Sequence, residues 1–133
     1  MPSAVSAKGV TDATGISYVI AEYSYNNVPL VTAEGGWIHP PSYPFQMIFT
    51  IHLEEATIEW NGVTPMKVYP MHGDVYTPEV VGGSAYTNEI RYLVECIESG
   101  KKPSIVTPWD ARETIRLIHA EIASVQSGQP VTL

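Results

Sequence analysis

Apolar and polar residues alternate with a period of two through much of the first half of the chain. After about residue 84 the period changes to near 3.6. Residues 17–25 (SYVIAEYSY) are rich in β-branched and aromatic side chains and predict a strand. Asn26-Asn27 follows as a turn, because Asn tolerates the left-handed backbone that hairpins need. Residues 28–37 (VPLVTAEGGW) read as the return strand. Pro40, Pro41 and Pro44 make the next stretch a stiff loop and exclude helix there. Residues 45–53 (FQMIFTIHL) predict a strand with Met47, Phe49, Ile51 and Leu53 on one side and Gln46, Ile48, Thr50 and His52 on the other. An acidic turn at Glu54-Glu55 leads to a strand over 56–60, Asn61-Gly62 is a strong turn signal, and 66–69 can add a short strand. Residues 70–83 have no period and read as a long loop. Residues 1–15 are small and polar, a lead-in with room for a short strand.

In the second half, Ile90, Leu93, Val94 and Ile97 share one helical face, and Gly100 ends that helix. Residues 103–106 form a short extended link. Thr107 then suits an N-cap, Pro108 suits the first helical position, and Asp110 can complete a capping box. Ala111, Ile115, Ile118, Ile122 and Val125 are the expected buried stripe, Gly128 the stop, and 130–133 a last strand. Strands first and helices last predict an α+β fold. Its expected form is a mostly antiparallel open sheet with two C-terminal helices packed on one face, in a single domain over residues 1–133. The other face then carries Glu22, Ser24, Thr32, Glu34, Gln46, Thr50 and His52, mixed with Tyr18, Ile20 and Ile48. Those apolar members favour an oligomer interface over a solvated face.

Composition narrows the function classes. Charged residues are 16% of the chain, against a norm of about 25%, which suggests surface covered by something else. The net charge is −7 and the nearest approach to a cationic cluster is Lys101-Lys102, so nucleic acid is not an expected partner. A single cysteine, Cys96, allows neither an internal disulfide nor a thiolate zinc cluster. No apolar run approaches the roughly 20 residues of a membrane span, and the N-terminus lacks the apolar stretch of a signal peptide. A cytoplasmic location without membrane partners is the expectation.

The residues alone assemble no catalytic constellation. Gly35-Gly36 and Gly82-Gly83 lack the spacing and the strand–turn–helix setting of a dinucleotide loop. His39, His52, His72 and His119 lack the spacing of a metal pair, so no metal site is expected. Cys96 lies mid-helix beside apolar residues and reads as a buried, inert thiol. Glu54 and Glu55 point apart on a turn. Trp37, Trp60 and Trp109 with Tyr43, Tyr69, Tyr76 and Tyr86 offer stacking surfaces for a sugar ring, but a sheet core uses aromatics at the same density.

Residues 88–133 add a resemblance. Glu89 opening a helix, Leu93, Gly100 with Pro103, Asp110-Ala111, Ser124, and Gly128 with Val131 match the closing segment of the glucose-fructose oxidoreductase / inositol dehydrogenase / MocA family, Gfo/Idh/MocA. The earlier half is similar more loosely, and Leu53 and Ala56 stand where family members often carry a G-x-x-G hairpin. The resemblance implies the sheet-and-helix part of the C-terminal domain of an NAD(P)-dependent sugar or polyol oxidoreductase. It implies that the Rossmann domain, the catalytic Lys and the Asp/His pair lie outside these residues. NAD or NADP would serve the parent enzyme, with no cofactor and no catalytic residue in this chain. Lys102-Pro103 is not the family's catalytic Lys-Pro, because it sits in the helix-to-strand link. The implied partners are the parent's Rossmann domain, a sugar or polyol, and a second copy through the open sheet face. Trp37, His39, Tyr43 and Tyr86 sit where the family can place substrate-facing groups. Two readings of other classes stand beside this one: a stand-alone interaction or carbohydrate-binding module, and a small enzyme of an unrelated α+β fold.

Overall fold

A computed structural model describes residues 1–80 and 82–133. The chain divides into two compact units, Met1–Pro40 with Cys96–Leu133, and Pro41–Glu95. The α+β class holds, with the antiparallel strands shared between two sheets.

The first unit contains β1 (Ala4–Asp12), β2 (Gly15–Ser24), β3 (Thr32–Gly36), α2 (Pro108–Ser127) and β7 (Val131–Thr132). Its sheet runs β3-β2-β1-β7, antiparallel throughout. The central strand β1 lies within the expected lead-in. Its inward positions are Val5, Ala7 and Gly9, which carry little apolar bulk. The reason is the close approach of α2. Val5, Ala7, Ala21 and Ala120 form the buried core, with Val19, Tyr23, Leu117, Val125, Val131 and Leu133 packed around it. A Cβ on Gly9 would stand 2.8 Å from the Tyr18 carbonyl and 3.3 Å from Val125 Cγ1. Glycine is what lets helix and strand meet there.

The expected buried stripe on α2 is rotated in the structure. Leu117, Ala120, Ser124 and Val125 face the sheet, whereas Ile115 and Ile118 are exposed. Two polar contacts fix this rotation. The Ser124 hydroxyl accepts from the Ala7 amide at 2.9 Å and donates to the Gln129 carbonyl at 2.8 Å. The Tyr23 hydroxyl donates to Glu121 Oε1 at 2.7 Å. Burial, and then the Glu121 carboxylate, push the Tyr23 phenol well above its ordinary range. The helix begins as expected. Thr107 Oγ1 accepts from the Asp110 amide, and the Asp110 carboxylate accepts from the Thr107 amide at 2.8 Å. These bonds hold the Asp110 carboxyl below its usual range. Gly128, in the left-handed conformation, closes the helix.

The second unit holds β4 (Phe49–His52), β5 (Ala56–Trp60) and β6 (Lys67–Pro70) in the order β4-β5-β6. Phe49 pairs with Trp60, and Ile51 with Ile58, which pairs in turn with Val68. These residues make one apolar face. Thr50, His52, Thr57, Glu59 and Lys67 lie on the other, as the alternation predicts. The expected strand over 45–53 is ladder-paired only at 49–52, and that over 28–37 only at 32–36. Pro29 and the stretch before Phe49 have no ladder partner that would extend them. In the stretch read as loop, Tyr76 bridges to Val68. Helix α1 (Ala85–Ser99) runs from this unit into the first, and its Cys96 is buried. Ile90, Leu93, Val94 and Ile97 on it are exposed.

Candidate functional site

Two surfaces are candidates. The first is the face of the four-stranded sheet opposite α2. Register places Ser6, Lys8, Tyr18, Ile20, Glu22 and Glu34 on it, because Val5, Ala7, Val19 and Ala21 point to the helix. Ile20 is 50% exposed there, beside charged neighbours. The face is therefore semi-polar, matching the expectation for Tyr18, Ile20, Glu22 and Glu34. Neighbouring residues Glu22 and Thr32 pair across β2 and β3.

The second is a cavity of about 360 Å³ in the second unit, lined by Pro44, Phe45, Gln46, Met47, Ile48, Trp60, Asn61, Gly62 and Val63. The Asn61-Gly62 turn builds one wall. Asn61 Oδ1 accepts from the amides of Val63 and Thr64, at 3.0 and 2.9 Å. Gly62 has φ 75°, and a Cβ there would come within 2.8 Å of the Met47 carbonyl, so only glycine lets the turn close over residues 45–48. Trp60 is fixed from β5 by its tilted contact with Phe49, ring centres 5.8 Å apart. The lining is mostly apolar and aromatic, with two amide side chains, and the volume suits a small organic molecule or one sugar ring. Sequence reasoning singled out Trp60 as a stacking surface but not this cavity. The available signal was the pairing of unpaired, apolar Phe45 and Met47 with a tight Asn-Gly turn.

The four residues expected to face substrate are divided between the units. Trp37, 85% exposed, follows β3, its amide bonded to the Ser17 carbonyl at 2.8 Å. His39 stands edge-on to Tyr18 with ring centres 6.2 Å apart, so its ring borders the open face of the first sheet. Tyr43 and Tyr86 belong to the second unit, Tyr86 in the first turn of α1 and 81% exposed.

Neither helix start offers a dinucleotide cradle. Pro108 removes one N–H from the start of α2, and the Asp110 carboxylate already occupies that end, where it would repel a phosphate. Gly82 and Gly83, ahead of α1, lack the G-x-G-x-x-G spacing of such a cradle. Among the described residues, no three His, Cys, Asp or Glu side chains converge as a metal site would need, and no helix is long and apolar enough to cross a membrane.

No protein-family model matches the sequence, and no curated protein does. Solved structures do match. The aldose-aldose oxidoreductase from Caulobacter crescentus, crystallised with glycerol, superposes on 99% of this chain with a TM-score of 0.80 at 17% identity. A proposed oxidoreductase from Bacillus subtilis, yvaA, superposes on 100% of it with a TM-score of 0.74 at 21% identity. This chain covers 41% of the first and 47% of the second, less than half the length of either. The fold of this chain is thus the fold of a part of each of these two proteins.

Proposed function

We propose that this chain is the substrate-lining and oligomerising part of an NAD(P)-dependent oxidoreductase of the Gfo/Idh/MocA type, acting on a sugar or polyol. The carrying observation is the superposition of nearly the whole chain on part of an aldose-aldose oxidoreductase crystallised with a polyol. The match of Glu89, Asp110-Ala111, Ser124 and Gly128 to the family's closing segment supports the same reading. In it, the cofactor and the acid/base groups come from polypeptide outside these residues, and hydride passes between a substrate C–OH and the nicotinamide. This chain's share is orientation. Trp37 and His39 after β3 in the first unit, and Tyr43 and Tyr86 in the second, are the residues proposed to face substrate.

The open face of the four-stranded sheet would pair with a second copy. Ile20 beside Lys8, Glu22 and Glu34 gives that face the mixed character of an oligomer interface. A second reading, a free-standing carbohydrate-binding module, is favoured by one feature, the Trp60 cavity.

The test is turnover with a panel of aldoses and polyols and each nicotinamide cofactor, read by nicotinamide absorbance. The 133-residue chain alone shows none, whereas the polypeptide from the complete reading frame turns over. Robust activity of the short chain overturns the proposal. Saturable sugar binding by the short chain, lost on Trp60→Ala, favours the module instead.

A further inference from the structure

Strand β3 is the outer strand of the four-stranded sheet, and it ends on Gly35-Gly36. Glycine weakens a strand, because it has no side chain to pack. Gly36 nevertheless has a use. It pairs with Tyr18 across the ladder, so a side chain at 36 would share the open face with the Tyr18 ring. That space is already taken. A Cβ on Gly36 would stand 2.4 Å from Tyr18 Cδ2 and 2.7 Å from Tyr18 Cα. The ring leans over the glycine and covers it, as aromatics do beside edge glycines.

The chain after β3 bends round the same ring. The Trp37 amide donates to the Ser17 carbonyl at 2.8 Å, one residue beyond the ladder. Two residues on, the His39 ring meets Tyr18 edge-on, at an interplanar angle of 89° and with centres 6.2 Å apart. That separation is within the span of an interacting aromatic pair. Pro40 follows directly and keeps His39 out of the helical backbone region. His39 is thus held twice, its backbone by Pro40 and its ring by Tyr18. All of these residues belong to the first unit.

We infer that Tyr18 and Gly36 are positioning residues: the Tyr18 ring, seated over Gly36, aims the His39 imidazole at a hydroxyl of the sugar or polyol. The inference rests on the reading above, in which His39 faces substrate. A neutral imidazole suits a hydroxyl because it has one donor and one acceptor nitrogen. A side chain held in one orientation before binding loses little freedom on binding.

The test is a double-mutant cycle in the polypeptide from the complete reading frame, with the aldose or polyol it turns over. His39→Ala removes the hydrogen bond, and Tyr18→Leu removes the ring that aims it. Each raises KM by about 3- to 10-fold with kcat nearly unchanged, the effect of one hydrogen bond lost from substrate. The double variant is no worse than His39→Ala. Effects that multiply overturn the inference, because Tyr18 then acts apart from His39. An unchanged KM in His39→Ala overturns it too. Both results leave the oxidoreductase reading standing, whereas a complete polypeptide without turnover overturns reading and inference together. NMR of the 133-residue chain adds a readout independent of turnover. A nuclear Overhauser effect joins the Tyr18 ring and His39 imidazole protons. Gly36→Ala abolishes it while amide exchange at Ala7 stays unchanged. Its absence from the unsubstituted chain, or its persistence in Gly36→Ala, overturns the inference.

Discussion

Ser124 closes a rung that the backbone cannot. In the β1–β7 ladder Ala4 pairs with Thr132 and Val5 with Val131. The same register would set Ala7 opposite Gln129, but Pro130 interrupts the ladder between them. The Ser124 hydroxyl stands in the gap, taking the Ala7 N–H and giving its own proton to the Gln129 carbonyl. Ser124 is 1% exposed, so water cannot take its place. Ser124→Ala orphans the Ala7 N–H. A buried donor left unmade costs about 1–3 kcal/mol, and the second bond adds about 1, so the expected loss is about 2–4 kcal/mol. The two units need not unfold together, so a single melting curve is a poor gauge. Amide exchange at Ala7 reports the first unit directly. A loss of about 2 kcal/mol speeds exchange by about 30-fold. Thr114→Ala, which removes a hydroxyl bonded within α2 at the Asp110 carbonyl, serves as the control. A Ser124→Ala effect no larger than the control's would refute the bridging role.

Three further outcomes follow from the same packing. Tyr23→Phe removes the bond to Glu121 and costs about 1 kcal/mol in urea unfolding. The folded phenol titrates above its unfolded value of 10.0, so its contribution is full below that pH and is lost as pH rises through the higher folded value. The variant should flatten that alkaline limb, and an unchanged limb contradicts the assignment. Thr107→Ala removes the cap of α2 and costs about 1 kcal/mol by thermal melting. Because Asp110 is held below 3.8, the cap's contribution persists at that pH and fades only as pH falls through the lower folded value. Loss of the cap at a higher pH would contradict this. Gly9→Ala drives a methyl against the Tyr18 carbonyl and Val125 and costs about 1–3 kcal/mol. A neutral result would mean that α2 can move away from the sheet.

The contrast between α2's two ends shows what a sequence can disclose. Thr107, Pro108, Asp110 and Gly128 act locally, and each was legible from its type and position. The face of α2 was not. Its large apolar residues Ile115 and Ile118 drew the expected stripe, and the sheet instead takes Ala120 and Ser124. Close packing selects small residues, which carry no hydrophobic signal. For the same reason β1, with Ala7 and Gly9 inward, read as a lead-in although it is the centre of its sheet. The edge strands failed differently. Residues 45–53 alternate throughout, but pairing needs a neighbour, and β5 supplies one only at 49–52. The open face of the first sheet was legible in part: Tyr18, Ile20, Glu22 and Glu34 share it, whereas Gln46, Ile48, Thr50 and His52, expected on the same face, belong to the other unit. The Trp60 cavity was not, since it depends on residues 44–48 meeting the Asn61-Gly62 turn, a contact that only the hairpin's closure creates.

The mass of the native polypeptide in its source, by immunoblot against this chain followed by intact-mass spectrometry, tests the central claim most directly. The account predicts a chain more than twice the 14.6 kDa of these residues. A native mass of 14.6 kDa would contradict it and make the chain a module in its own right.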